Sequence, residues 1–211
     1  MARTAGSTAA GTRRRIVDAA VDLFTSQGYA GTSMRDITER VGITKAALYY
    51  HFPSKDDLLD ELVRPLVDGL DAFTAYAADA RADRAELAER LVTLMGEQIG
   101  VLHPFFGDPA AQAAIEERHE LHTRVQRLHQ VLADGDDPAA LLRAGCAVGA
   151  IFGGVTLALR LPPPHRAARQ DPPVRPRTAL TGEDRSILVR AVLAVLQSAS
   201  PAVPAVPATA H

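Results

Sequence analysis

Three helix-start signals crowd into residues 33–57: Ser33-Met-Arg-Asp36, Thr44 and Ser54-Lys-Asp-Asp57. In each, a short polar side chain can accept the free backbone N–H groups of the turn that follows. Gly42 breaks the chain between the first two, and Pro53 between the second and third. Only short helices fit between such stops. The segment predicts a helix from Ser33 to Val41, a tight break at Gly42-Ile43, a helix from Thr44 to about His51, and a long helix from Ser54 that Pro65 can bend. Upstream, Ile16, Ala19, Ala20, Leu23 and Phe24 form one apolar stripe at helical spacing, so a helix from about Thr12 to Gln27 precedes them, stopped by Gly28. Strand alternation is not evident, and the expected fold class is all-α.

Two short helices about Gly42, braced by a longer one, have the layout of a helix-turn-helix. In that motif the first short helix packs across the second, which presents its outer face to the DNA major groove. Here Leu48 points inward, leaving Lys45, Ala46, Tyr49 and Tyr50 to point out. Lys45 can reach a phosphate or a guanine edge. Ala46 and Ala47 allow close approach and can touch thymine methyl groups, while the tyrosine hydroxyls and His51 suit phosphate oxygens. Lys55, in the first turn of the long helix, would add a cation to a helix N-terminus. Arg13 and Arg14 sit with Arg15 at the start of the first helix, against the macrodipole, which backbone phosphates would justify and a merely solubilising end would not require. Charge follows the same division: residues 1–55 carry eight basic and four acidic side chains, so with a net charge of −2 the remainder carries −6. An N-terminal module that meets a polyanion is one reading, and a solvated charged face is the plainer one.

The segments Arg15-Ile-Val-Asp-Ala-Ala, Leu23-Phe, Gly28-Tyr-Ala-Gly-Thr-Ser-Met-Arg-Asp-Ile, Val41-Gly-Ile-Thr-Lys-Ala-Ala-Leu-Tyr-Tyr-His-Phe and Ser54-Lys-Asp-Asp-Leu-Leu together resemble the DNA-binding domain of the TetR family of bacterial regulators. Their order and spacing over residues 13–59 are far more specific than a bare helix-turn-helix pattern. The resemblance implies DNA contacts at Arg35, Lys45, Ala46, Ala47, Tyr49, Tyr50, His51 and Lys55, with Thr32 and Ser33 capping the second helix near phosphate. Thr44 is either a cap or a further contact. It also implies a ligand-responsive homodimer that binds operator DNA and is released by a small molecule. The implied organisation is an unstructured arm (1–11), a DNA-binding domain (12–55), a helical effector-binding and dimerisation domain (56–199) and an unstructured Pro-Ala tail (200–211).

The effector half shows further helical stretches over about 84–102, 109–132, 139–160 and 183–198. In the implied dimer the last two pair with their copies, and Gly145, Ala147, Gly149, Ala150, Gly153 and Gly154 permit close approach; packing within one subunit is the alternative. Pocket candidates are Phe73, Tyr76, Met95, Ile99, Phe105, Phe106, His122, Val125 and Phe152, although aromatic and Met residues at helical spacing are more often simply core. His103, at a break before Pro104, could hydrogen-bond a ligand or a free carbonyl. His119, His122 and His129 with Glu116 and Glu120 could share a helix face, but no second cluster completes a metal site, and a solvated face is commoner. Neither metal nor cofactor is expected. The single cysteine, Cys146, excludes internal disulfides and is expected buried among small apolar neighbours. With no signal-like N-terminus, and with the apolar stretch between Arg143 and Arg160 read as an interface helix and not a membrane span, a cytoplasmic location is expected. The sequence shows no nucleophile elbow, glycine-rich phosphate loop or zinc-protease motif, so an enzyme is not expected. A regulator acting through protein partners, with the Pro- and Arg-rich loop 162–177 as their site, is the alternative.

Overall fold

The computed structural model describes residues 4–78, 83–133, 137–161 and 179–198. Within them the secondary structure is helical, with no strand. The Pro-Ala tail and the 162–177 loop lie outside the described residues.

The N-terminal unit contains α1 (Thr4–Gln27), α2 (Met34–Val41) and α3 (Lys45–His51). The Ser33 hydroxyl accepts from the Asp36 N–H while the Asp36 carboxylate takes the Ser33 N–H, closing a reciprocal cap on α2. Gly42 ends α2 in the left-handed region, at φ 73°, which a side chain would resist. Thr44 then caps α3 through the Ala47 N–H. Ile16, Ala20, Phe24, Ile37, Leu48 and Phe52 are all buried in the core these helices enclose. One boundary differs from expectation: α1 begins at Thr4, two turns before the expected start near Thr12. Ala5, Ala9 and Ala10 explain this, since alanine is the strongest helix former and extends an existing helix at little cost.

The long helix α4 (Lys55–Ala77) leaves the N-terminal unit and enters a second bundle without interruption at Pro65. There it packs against α5 (Arg84–Leu102), α6 (Pro109–His119) and α7 (Leu121–Ala133). A 3-10 turn, His103–Gly107, joins α5 to α6. The sequence predicts one helical region over 109–132, but Glu120 adopts a left-handed conformation (φ 45°) and divides it. For a residue with a Cβ this costs about 1–2 kcal/mol. Compensation is local: the Glu116 carboxylate receives the His122 N–H at 2.9 Å, and the His119 carbonyl accepts from Arg124.

The last two helices, α8 (Pro138–Ala158) and α9 (Gly182–Gln197), form the most extensive pair in the bundle. Gly154 makes this possible, because a Cβ there would lie 2.3 Å from a Leu188 methyl. Gly154 and the buried Ala147 therefore serve packing within the subunit, whereas Gly145, Gly149 and Gly153 look onto open space. Cys146, expected buried, is exposed on the same outer side as Gly149 and Gly153, with Leu142 and Leu157 70% and 80% exposed. The apolar run around Cys146 thus covers an outer helix face as well as a core face. By length and composition α8 could cross a membrane, although the same character suits a helix face that another protein covers.

Candidate nucleic-acid interface

Leu48 anchors α3, fully buried, and this sets the opposite side of the helix outward. Tyr50 is 83% exposed and Tyr49 41%, while Lys45 and Ala46 are exposed beside them. The Lys45 ammonium lies 5.4 Å from the centre of the Tyr49 ring, so a cation and two phenols share one convex surface. Ala47 and His51 are half-buried at its edge, with the Tyr50 and His51 rings in edge contact. Arg35, Ser33, Thr44 and Arg14 are also exposed. Arg35 pairs with Glu39 one turn along α2 at 2.7 Å, and Ser33 and Thr44 spend their hydroxyls on capping.

Three residues predicted to face DNA are committed inside the protein. Arg13 donates to Glu61 at 2.8 Å and to the His51 carbonyl at 3.0 Å, with its guanidinium 4.2 Å from the Phe52 ring centre. Thr32 is 2% exposed and its hydroxyl donates to the Gly28 carbonyl. Lys55 donates to the Tyr29 and Thr32 carbonyls at 2.7 and 3.0 Å and lies over the Tyr29 ring. Carbonyls between α1 and α2 and at the end of α3 have no helical partners, and Lys55 and Arg13 respectively satisfy them. Arg15 does the same for the Val41 carbonyl at 2.7 Å. Of the three consecutive arginines, Arg14 and Arg15 are exposed, Arg15 with its guanidinium on the Val41 carbonyl.

The first turns of α4 connect this surface to the bundle. Asp56 accepts from the Tyr29 hydroxyl, Asp57 and Asp60 from Arg118 of α6, and Glu61 from Arg13. Asp60 is the most buried of these acids and also accepts from His119 at 2.9 Å. Burial opposes its charge, but the hydrogen bonds from Arg118 and His119 outweigh it and hold the carboxyl below its usual range. Burial, with the Asp56 bond, pushes the Tyr29 phenol well above its ordinary value. A second connection runs through the 3-10 turn. The Asp108 carboxylate caps α6 at Ala110 and Ala111 and takes the Tyr29 N–H at 2.6 Å, while Phe105 meets Phe24 edge-on at 5.8 Å. No periodicity in the sequence marked Asp108 or Arg118; an Asp before Pro109 was the one visible capping signal.

Within the bundle, a cavity of about 310 Å³ lies among α4, α5, α7 and α8. Of the predicted pocket residues, Met95, Ile99, Phe106, Val125 and Phe152 line it, joined by Leu66, Leu70, Gln98, Leu102, Leu121, Leu128, Val148 and Gly149. The others fall elsewhere. Phe73 and Tyr76 border a separate, acidic groove between α4 and α5, where Arg90 lies over Tyr76 and pairs with Glu86. Phe105 faces the N-terminal unit, and His122 lies on an outer hollow with its ring nitrogen 2.9 Å from Gln126. His103 is buried beside the cavity, its ring parallel to Phe152. His119, considered as a metal ligand, is engaged by Asp60.

Residues 16–62 match the family model described as bacterial regulatory proteins, tetR family. The transcriptional repressor KstR2 of Rhodococcus jostii (strain RHA1) is 37% identical over 94 residues, 44% of this chain and 46% of that protein. The chain thus spans about half the length of the curated relatives it matches. Among solved structures, the probable transcriptional regulatory protein RHA5900 superposes with a TM-score of 0.59 at 25% identity, covering 90% of this chain and all of the other. The SmeT–triclosan complex superposes with a TM-score of 0.55 at 20% identity over 87% of this chain and 90% of SmeT, a likeness of fold.

Proposed function

Since the chain belongs to the TetR family of bacterial regulatory proteins, we propose that it acts as a homodimeric transcriptional repressor released from its operator by a small molecule bound in its helical domain. The observation that carries this reading is the outer face of α3, where Lys45, Ala46, Tyr49 and Tyr50 stand exposed on a helix anchored by Leu48. Such a face can enter a major groove, with its cation and phenols at phosphates and base edges. Arg14 and Arg35 supply flanking charge, and Ser33 and Thr44 lie where caps approach the backbone.

Two α3 helices must sit about 34–36 Å apart to meet successive grooves on one side of a duplex. The exposed Leu142, Cys146, Gly149, Gly153 and Leu157 of α8 give a second copy an apolar surface to cover, and thereby set that spacing. The cavity is coupled to α3 along two routes. Leu66 and Leu70 of its wall belong to α4, whose first turns hold Tyr29 and Arg13. Phe106 of its wall adjoins Phe105 and Asp108, which hold Phe24 and Tyr29. An occupant that shifts either element tilts the DNA-binding unit, and linkage requires operator DNA to weaken the occupant's binding by the same factor. SmeT, which shares the fold, is described in complex with triclosan, and this supports a small-molecule occupant here.

The test is binding of the purified protein to the DNA upstream of its own gene across a salt series, beside a Lys45→Ala, Tyr50→Ala double variant. Nanomolar binding that weakens steeply with salt and is lost in the variant is expected. Affinity for that DNA equal to that for random duplex, in protein and variant alike, would remove α3 as the recognition element.

A further inference from the structure

The cavity has a chemistry that narrows what can occupy it, and the following rests on the effector reading above. Its walls carry no charged side chain, and among the lining residues Gln98 alone is polar. Leu66, Leu70, Met95, Ile99, Phe106 and Phe152 present only carbon and sulfur to the interior. An ion entering such a site surrenders its hydration without a partner, whereas a hydrocarbon gains by the transfer. The nearby cations do not change this. Arg118 is held by Asp57 and Asp60, and Arg124 by Asp71 and the His119 carbonyl.

Behind this wall, outside the residues that line it, a buried polar atom is unpartnered. His103 is 2% exposed, and its Nε2 is buried without a hydrogen-bond partner. A buried, unsatisfied nitrogen is uncommon in folded proteins and points to a missing partner. The imidazole stacks on Phe152 at 6.5 Å between centres, and Phe152 is also part of the cavity wall and in edge contact with Phe106. Burial lowers the pKa of His103, so the ring is neutral at neutral pH and can form one hydrogen bond at this nitrogen but cannot balance a carboxylate or phosphate.

We infer that the effector is an uncharged, predominantly hydrocarbon or aromatic small molecule whose single hydrogen-bonding group pairs with Nε2 of His103. Free acyl anions, phosphate esters and nucleotide conjugates do not fit this site. Its size, about 310 Å³, suits a molecule of one or two fused or linked rings or a medium-length alkyl chain.

The experiment uses the full chain and the hydrocarbon reporter 1,6-diphenylhexatriene, whose fluorescence rises in apolar surroundings. Decan-1-ol and decanoate, which share a chain and differ in charge, are compared as competitors at pH 8. The reporter is expected to bind once per subunit, and decan-1-ol to displace it at a concentration at least tenfold lower than decanoate. Val125→Trp, which fills the cavity from a half-exposed position, is expected to abolish uptake with unchanged circular dichroism. His103→Phe keeps the ring and tests the polar contact. It is expected to leave reporter affinity within about threefold and to weaken decan-1-ol by about tenfold, the ordinary worth of one buried hydrogen bond. Decanoate competing as well as decan-1-ol, absence of reporter uptake, or full uptake by Val125→Trp would each overturn the inference. Operator affinity measured on the same samples separates it from the reading beneath it. Displacement as expected with operator affinity unchanged at saturation leaves the ligand class standing and removes the effector role of the site.

Discussion

Asp60 shows how one side chain can decide the relation between two units. It sits one turn into α4, nearly buried, and receives both Arg118 and His119 from α6. An amide keeps the shape but loses the charge and one of the two acceptor oxygens that Arg118 and His119 share. Asp60→Asn is therefore expected to lower unfolding free energy by about 1–3 kcal/mol, toward the lower end because Arg118 is partly exposed and screened. Chemical denaturation checks this, and pH gives the sign. The folded carboxyl titrates below its ordinary value, so its contribution is complete above about pH 4 and fades as pH falls through the folded value. Protein and variant should differ by a constant amount between pH 6 and 8 and converge in acid. His103 and His129 act in another window. Burial lowers both pKa values, so the unfolded chain binds more protons as pH drops below about 6.5, and stability falls there. His103→Phe should flatten part of the stability slope between pH 6.5 and 5, while Asp60→Asn leaves that part unchanged.

Helices were legible from the chain wherever a polar cap met an apolar stripe. Ser33, Thr44 and Ser54 each cap the helix expected of them. Two boundaries were not legible. The start of α1 rests on alanine propensity with no cap to announce it, and the break at Glu120 rests on hydrogen bonds that exist only after folding, from the His122 N–H to Glu116 and from Arg124 to the His119 carbonyl. The sites divide in the same way. The outward residues of α3 follow from Leu48 pointing in, a matter of periodicity alone. Arg13, Thr32 and Lys55 could not be separated from them, because their partners are backbone carbonyls brought near by tertiary packing. Aromatic residues such as Phe73, Phe105 and Phe106 look alike in sequence, yet they fall on a groove, a domain contact and a cavity wall. Asp108 joins these levels, since it caps α6 and reaches across to the Tyr29 N–H. Asp108→Ala is expected to cost about 1–2 kcal/mol through the lost cap. It should also shrink the change in operator affinity that a cavity occupant produces, because one of the two couplings to the DNA-binding unit is gone. Denaturation and operator titrations with and without decan-1-ol measure the two effects separately.

At the scale of the whole molecule, the outer face of α8 is the feature a single subunit leaves unexplained. Its inner face is spent on α9, where Gly154 receives Leu188. Its outer face carries Leu142, Cys146, Gly149, Gly153 and Leu157, with open space at the glycines and leucines mostly in water. A contiguous apolar surface of this kind marks an interaction site, and small residues between leucines let another helix approach closely. In the dimer proposed above, a second copy placed there by a two-fold axis would cover the patch with itself, since the same residues would face one another across the axis. Leu157→Glu puts two carboxylates into that contact without disturbing the subunit core, because Leu157 is 80% exposed before association. The variant is expected to sediment as a folded monomer with unchanged helix content. Its operator binding should fall by about 10²–10⁴-fold, the advantage lost when two linked recognition helices become one. A variant that remains dimeric would place the interface on another face. A monomer that binds operator as tightly as the parent would mean that one α3 is sufficient, and the paired-groove geometry would then have no role in recognition.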